Sequence, residues 1–167
     1  MKELIDKISS YNIFNYLFPG VIFILFTNQF TDYNIQSDNI ILDLFLYYFV
    51  GLVISRIGSL IIKPLLEKMK IINFKDYGDF IEASKKDSKI ELYSEINNMY
   101  RTLISTFFML LFIKGINLLQ VSVSLGSEWL ITIIAVSLLI LFVFAYRKQT
   151  DFIKKRVVHA SKEKKLE

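Results

Sequence analysis

Four long apolar runs, separated by short polar or charged stretches, dominate the chain. They cover residues 13–30, 40–62, 102–119 and 129–146. A hydrocarbon layer of about 30 Å takes about 20 helical residues to cross, so each run predicts a transmembrane helix. The fourth is the cleanest: it holds no charged residue and no polar face, and Trp129 and Tyr146 stand at its ends, where amphipathic rings favour the interface. Lys63-Pro64 predicts the end of the second run. Residues 2–10, with Leu4, Ile5 and Ile8 on one side, predict a short helix lying on the membrane surface. The expected fold class is all-α integral membrane. A soluble bundle does not account for the fourth run. A cleaved signal peptide is disfavoured by Glu3 and Asp6 before the first run and by the lack of a small-x-small site after it.

Orientation follows from the basic residues. All but two of the 20 Lys and Arg, Arg56 and Lys114, lie in residues 1–12, 63–101 and 147–167. The 28–39 loop has none and carries Asp32 and Asp38; the 115–128 loop has none and carries Glu128. Basic loops stay in the cytoplasm, so both termini and the central loop are expected there. The chain then divides into residues 1–62 (interfacial helix and two spans), 63–100 (cytoplasmic helical loop), 101–146 (two spans) and 147–167 (basic tail).

The central loop is long for a connection, which implies structure of its own. Residues 63–80, with Pro64 and Gly78, read as irregular. Residues 81–100 lack Pro and Gly and read as helix. There Ile90, Tyr93, Asn97, Tyr100 and Ile104 recur at steps of three and four, and the stripe runs on into the third span. One long helix projecting from the membrane is the expectation. In the tail, Tyr146, Thr150, Ile153 and Val157 form a similar face. The two extensions can pack as a small cytoplasmic bundle, either a docking site for a partner protein or small ligand, or simply solvated helix ends.

Composition removes several function classes. There is no Cys, and the one His, His159, sits in the tail, so neither a thiolate nor a multi-His metal site is expected. No phosphate-binding glycine loop, metal-ligand spacing or paired-carboxylate motif appears. The chain reads as a non-enzyme without a cofactor, and nothing in it points to nucleic acid.

The candidate functional residues are therefore the polar ones inside the spans. Arg56 lies about 10 Å from the basic end of the second run at the helical rise. It either snorkels to headgroups or faces a partner or pore. Lys114 lies near the opposite face, at a depth that allows a pair with Asp43. Gly51, Ser55, Gly58 and Ser59 form a small-residue face for close helix approach, within one protomer or between protomers. Asn15, Pro19 and Gly20 interrupt the first run, so the helix is expected to kink or restart there.

The segment Tyr11-Asn12-Ile13-Phe14-Asn15-Tyr16-Leu17-Phe18-Pro19-Gly20 resembles the opening of small four-span bacterial proteins, some of them membrane components of anti-phage defence systems. The Lys-rich tail is also similar to that of phage holins. The first resemblance implies a homo-oligomer in the bacterial inner membrane, and the small-residue face of the second run predicts a symmetric one, a tetramer favoured. It would act as a pore or ion channel gated from its cytoplasmic helices. The alternative is a non-conducting anchor or sensor that docks a cytoplasmic partner. In either case lipids are the surrounding partner.

Overall fold

The structure, a computed structural model, describes residues 12–87, 89–122, 133, 136–148, 150, 151, 154 and 155. The described residues are helical, with no strand among them. A π-turn over Ile13–Leu17 leads into α1 (Phe18–Phe30). Next come α2 (Ile40–Ile57), a second π-turn over Gly58–Ile62, α3 (Lys63–Lys68), α4 (Tyr77–Lys86) and α5 (Lys89–Ser122). Residues 136–148 are also helical. Three helical stretches are long and apolar enough to cross a membrane: Ile13–Phe30, Ile40–Lys68 and Lys89–Leu118. The expected surface helix at 2–10 and residues 129–132, 134 and 135 of the fourth run, Trp129 included, lie outside the described residues.

Each proline is placed by a π-turn. The Phe18 N–H bonds to the Ile13 carbonyl and the Lys63 N–H to the Gly58 carbonyl, a five-residue step in each case. Pro19 and Pro64 follow one residue later, in the first turn of the next α-segment, where a missing N–H and a fixed φ are tolerated. The wider turn also removes the clash between the proline ring and the carbonyl four residues back. Instead of the expected kink or restart at Pro19, the first helix passes through the π-turn and stays helical from Ile13 to Phe30. The expected stop at Lys63-Pro64 is not observed: the helix runs on to Lys68. It ends there in a Schellman motif, with Ile71 N bonded to Leu66 O (3.0 Å), Lys70 N to Glu67 O (3.0 Å), and Lys70 left-handed at φ 59°.

Two further expectations for the central loop are corrected. Residues 63–80 are not wholly irregular, because α3 and the start of α4 fall within them. Nor is 81–100 one helix. Asp87 is extended (φ −138°, ψ 107°), and its carboxylate accepts from the Lys89 N–H at 2.9 Å, ending α4 and starting α5. Beyond that break α5 continues unbroken for 34 residues, about 50 Å at 1.5 Å per residue.

The three long helices pack on one another, and their interior is unusually polar. Buried apolar side chains include Phe23, Ile24 and Ile54, but Asn15, Thr27, Ser55, Thr102, Ser105, Thr106 and Asn117 are buried as well. Large apolar side chains face outward instead, Ile40, Phe45 and Leu111 each at least 70% exposed. This distribution suits a hydrocarbon solvent. Apolar burial gains little there, and small and hydroxyl-bearing residues hold helices together. Backbone contact is closest between α1 and α2. A Cβ on Gly20 would strike the Tyr47 carbonyl, and one on Gly51 would strike the Tyr16 carbonyl. The small-residue face of α2 is therefore spent within the protomer, and Gly58 continues it against Ser105 of α5.

A basic chamber above a polar knot

The polar knot joins all three long helices. Thr102 Oγ1 on α5 lies 2.7 Å from Asn15 Oδ1, in the π-turn before α1, and 3.3 Å from Ser55 Oγ on α2. Asn15 Nδ2 donates to Ser55 Oγ at 3.3 Å. Thr102 Oγ1 also lies 2.9 Å from the Asn98 carbonyl. Asn15 is 1% exposed and Thr102 fully buried. In a low-dielectric interior such groups need partners, and here each finds them on other helices.

The residues next to the knot open into a chamber. Arg56 follows Ser55, Arg101 precedes Thr102, and the side of α5 bearing Asn98 lines the same space. The chamber holds about 900 Å³ at the Lys-rich end of the helices. Its basic lining comes from separate elements: Arg56 from α2, Lys63 from α3, Arg101 from α5, and Lys148 from the segment after Tyr146. Gly58 makes room for this, since a Cβ there would meet Ser105 Oγ at 2.5 Å and the Arg101 stem at 3.4 Å.

Lys148 owes its position to the second π-turn. In that five-residue register the Ser59 carbonyl would be served by the N–H of residue 64, which is proline. The Lys148 ammonium donates to the Ser59 carbonyl instead. Burial lowers the Lys148 pKa from 10.5 to about 8, helped by Lys63 and Arg101 and opposed by Glu67, with a smaller lowering from Arg56. Glu67 stands 3.8 Å from Lys63. Lys63 also lies 4.3 Å from the centre of the Phe74 ring, a cation–π contact.

No protein-family model, curated protein or solved structure matches the chain. The reading therefore rests on the residues themselves. Arg56 lines the chamber and sits half-buried beside the knot. Asn15 is in the knot. Lys114 and Asp43 do not pair: Lys114 donates to the Phe30 carbonyl, and Asp43 accepts from the Ser37 N–H at 2.9 Å. At that end of the molecule the tie is made by Asn117, which accepts from Asp32 N at 3.0 Å and donates to its carboxylate at 2.9 Å. Of the α5 stripe, Ile90, Asn97, Tyr100 and Ile104 line the chamber, whereas Tyr93 is 63% exposed outside it. Ile153 and Val157 lie outside the described residues. Sequence reasoning missed Arg101, Thr102 and Lys148 as site residues. A signal existed: Asn98, Arg101, Thr102 and Ser105 recur at steps of three and four, a polar stripe entering an apolar span.

Proposed function

We propose that this chain is a multi-pass protein of the bacterial cytoplasmic membrane that works as a sensor or anchor, receiving its ligand in the basic chamber. The carrying observation is the convergence of Arg56, Lys63, Arg101 and Lys148 from four separate stretches on one space. Cations that only balance charge at helix ends spread into solvent. Here they gather over a buried knot that fixes the helices bearing two of them.

In this reading the chain has four spans, with both termini and the chamber on the cytoplasmic side. The asymmetry of Lys and Arg supports that orientation. The helical residues 136–148 support the fourth span: Leu139, Val143 and Phe144 are exposed and apolar, and Phe142 meets Phe49 of α2 at 6.5 Å between ring centres. A conducting oligomer gains less support, because the small-residue face best suited to join protomers packs inside one chain.

The test is ion flux. Liposomes carrying the purified full chain are expected to hold a potassium gradient as well as empty ones. A sustained leak whose ion preference reverses in Arg56→Glu would replace the sensor with a pore.

A further inference from the structure

We propose that the basic chamber binds a phosphate ester carrying at least two negative charges, with Arg56, Lys63, Arg101 and Lys148 around the phosphate and the organic part against Tyr77 and Phe80. The inference rests on the sensor reading above and names its ligand class.

Charge sign comes first. The lining carries six basic side chains, the four above with Lys75 and Lys155, against the carboxylates of Glu67, Asp76 and Asp79. Glu67 is already engaged by Lys63. The remaining excess is positive, in a space partly withdrawn from water, where uncompensated like charges are costly. Lys148 reports that cost, since its proton is held less tightly than on a free lysine. An anion in the chamber removes it.

Chemistry narrows the anion. Two guanidiniums present forked donors that match the oxygens of a phosphate, and two ammoniums add point charges. A monoanionic carboxylate leaves most of this set unused. Size argues for an organic part. The space of about 900 Å³ is at the upper end of small-molecule sites and far larger than one phosphate. Its wall offers apolar and aromatic surface, including the Tyr77 and Phe80 rings stacked 6.3 Å apart. The helices that carry the two arginines, and the Lys148 ammonium itself, are also held in place in advance. Arg56 and Arg101 adjoin residues of the knot, and Lys148 is tied to Ser59. That lowers the ordering cost of binding.

Two sources supply such a group: the headgroup of cardiolipin, with two phosphodiesters, reaching in from the membrane, or a soluble phosphate ester. The experiment separates them. The full chain is placed in nanodiscs of phosphatidylcholine alone, or with cardiolipin, and titrated with ATP and with inorganic pyrophosphate by calorimetry. Lipid retained on the protein is read by native mass spectrometry. If the source is soluble, ATP binds in neutral discs, and Arg101→Gln and Lys148→Gln each weaken it about tenfold or more. If the source is lipid, anionic lipid stays bound through delipidation, and the same variants lose it. Lys148→Arg restores binding in either case, while Lys154→Gln, an exposed cation beyond the lining, changes nothing. Lys148→Gln removes a charge that its surroundings oppose but also the donor to the Ser59 carbonyl, so helical circular dichroism checks its fold, and Arg101→Gln, which leaves that bond in place, reads the site independently. Absence of both ATP binding and variant-sensitive lipid retention overturns the phosphate site. Potassium flux in the same preparation separately reports failure of the sensor reading.

Discussion

At the scale of single residues, two lysines occupy positions that lysine does not favour. Lys70 is left-handed (φ 59°) with its N–H bonded to Glu67, a conformation that costs a non-glycine residue about 1–2 kcal/mol. Lys70→Gly is expected to stabilise the fold by about 1 kcal/mol, read as a higher thermal midpoint in detergent, and Lys70→Val to lower that midpoint. Lys148 is the other. Its pKa falls from 10.5 unfolded to about 8 folded, so below pH 8 folding carries the full penalty of holding the proton. Between about 8 and 10.5 the unfolded chain binds the proton more tightly than the folded one, and stability therefore rises across that window. The groups facing Lys148 are Lys63 and Glu67 of α3, Arg56 of α2 and Arg101 of α5, with Lys155, Asp76 and Asp79 on the same chamber wall. Denaturation followed from pH 7 to 10 is expected to show the rise, and Lys148→Met to flatten it. A bound phosphate favours the protonated form, so its affinity is expected to fall as pH passes through 8.

At the scale of elements, what holds α1, α2 and α5 together is close backbone contact and one polar knot. Gly20 and Gly51 each meet a carbonyl of the opposite helix, so Gly51→Leu is expected to prevent folding of the protomer rather than merely separate protomers. Loss of the native far-ultraviolet and proteolytic signature at every protein concentration would show this. The knot makes a quantitative prediction. The Thr102 hydroxyl lies within hydrogen-bond reach of Asn15, Ser55 and the Asn98 carbonyl and shares its one proton among them, so Asn15→Leu and Thr102→Val remove partly the same interaction. A double-mutant cycle is expected to give a coupling of about 0.6–1.7 kcal/mol, the range found for hydrogen bonds between membrane helices. Additive effects would mean that the two side chains act independently. Three of the expected spans were legible in the sequence because long apolar runs carry a strong signal, and the irregularity near Pro19 was too, although it is a π-turn within a continuous helix. The passage of the second helix through Pro64 was not, since it depends on a π-turn at Gly58–Ile62 and on Lys148, 84 residues further along the chain. The break at Asp87 was also missed, because capping by one carboxylate leaves no mark on periodicity. Arg56 and Asn15 could be singled out because charge and amide are rare in spans. Arg101 carried a weaker signal, its place in the polar stripe entering the third span, and Lys148 carried none, because among many basic residues only the fold shows which ones converge.

At the scale of the whole molecule, the length of α5 and the distribution of charge bear on one question, the orientation of the helices. α5 is about 50 Å long, and the hydrocarbon layer is about 30 Å, so a large part of it lies outside. Its apolar part runs toward Leu118, and its Lys89–Arg101 part carries the charges and one wall of the chamber. The projecting part is therefore the charged one; it adjoins the Lys-rich central loop, and in the proposed orientation that loop stays in the cytoplasm. In that proposed orientation the short loop between α1 and α2, with Asp32 and Asp38 and no cation, faces outward. The chain has no cysteine, so single cysteines report each side without background. With a membrane-impermeant thiol reagent on intact cells, Asn34→Cys and Ser124→Cys are expected to label. Tyr93→Cys, exposed on α5 away from the chamber, and Ser161→Cys are expected to label only after the membrane is opened. Labelling of Tyr93→Cys in intact cells would turn the chamber outward, exclude cytoplasmic phosphate esters as its ligand, and leave the outer leaflet as the one source of phosphate within reach.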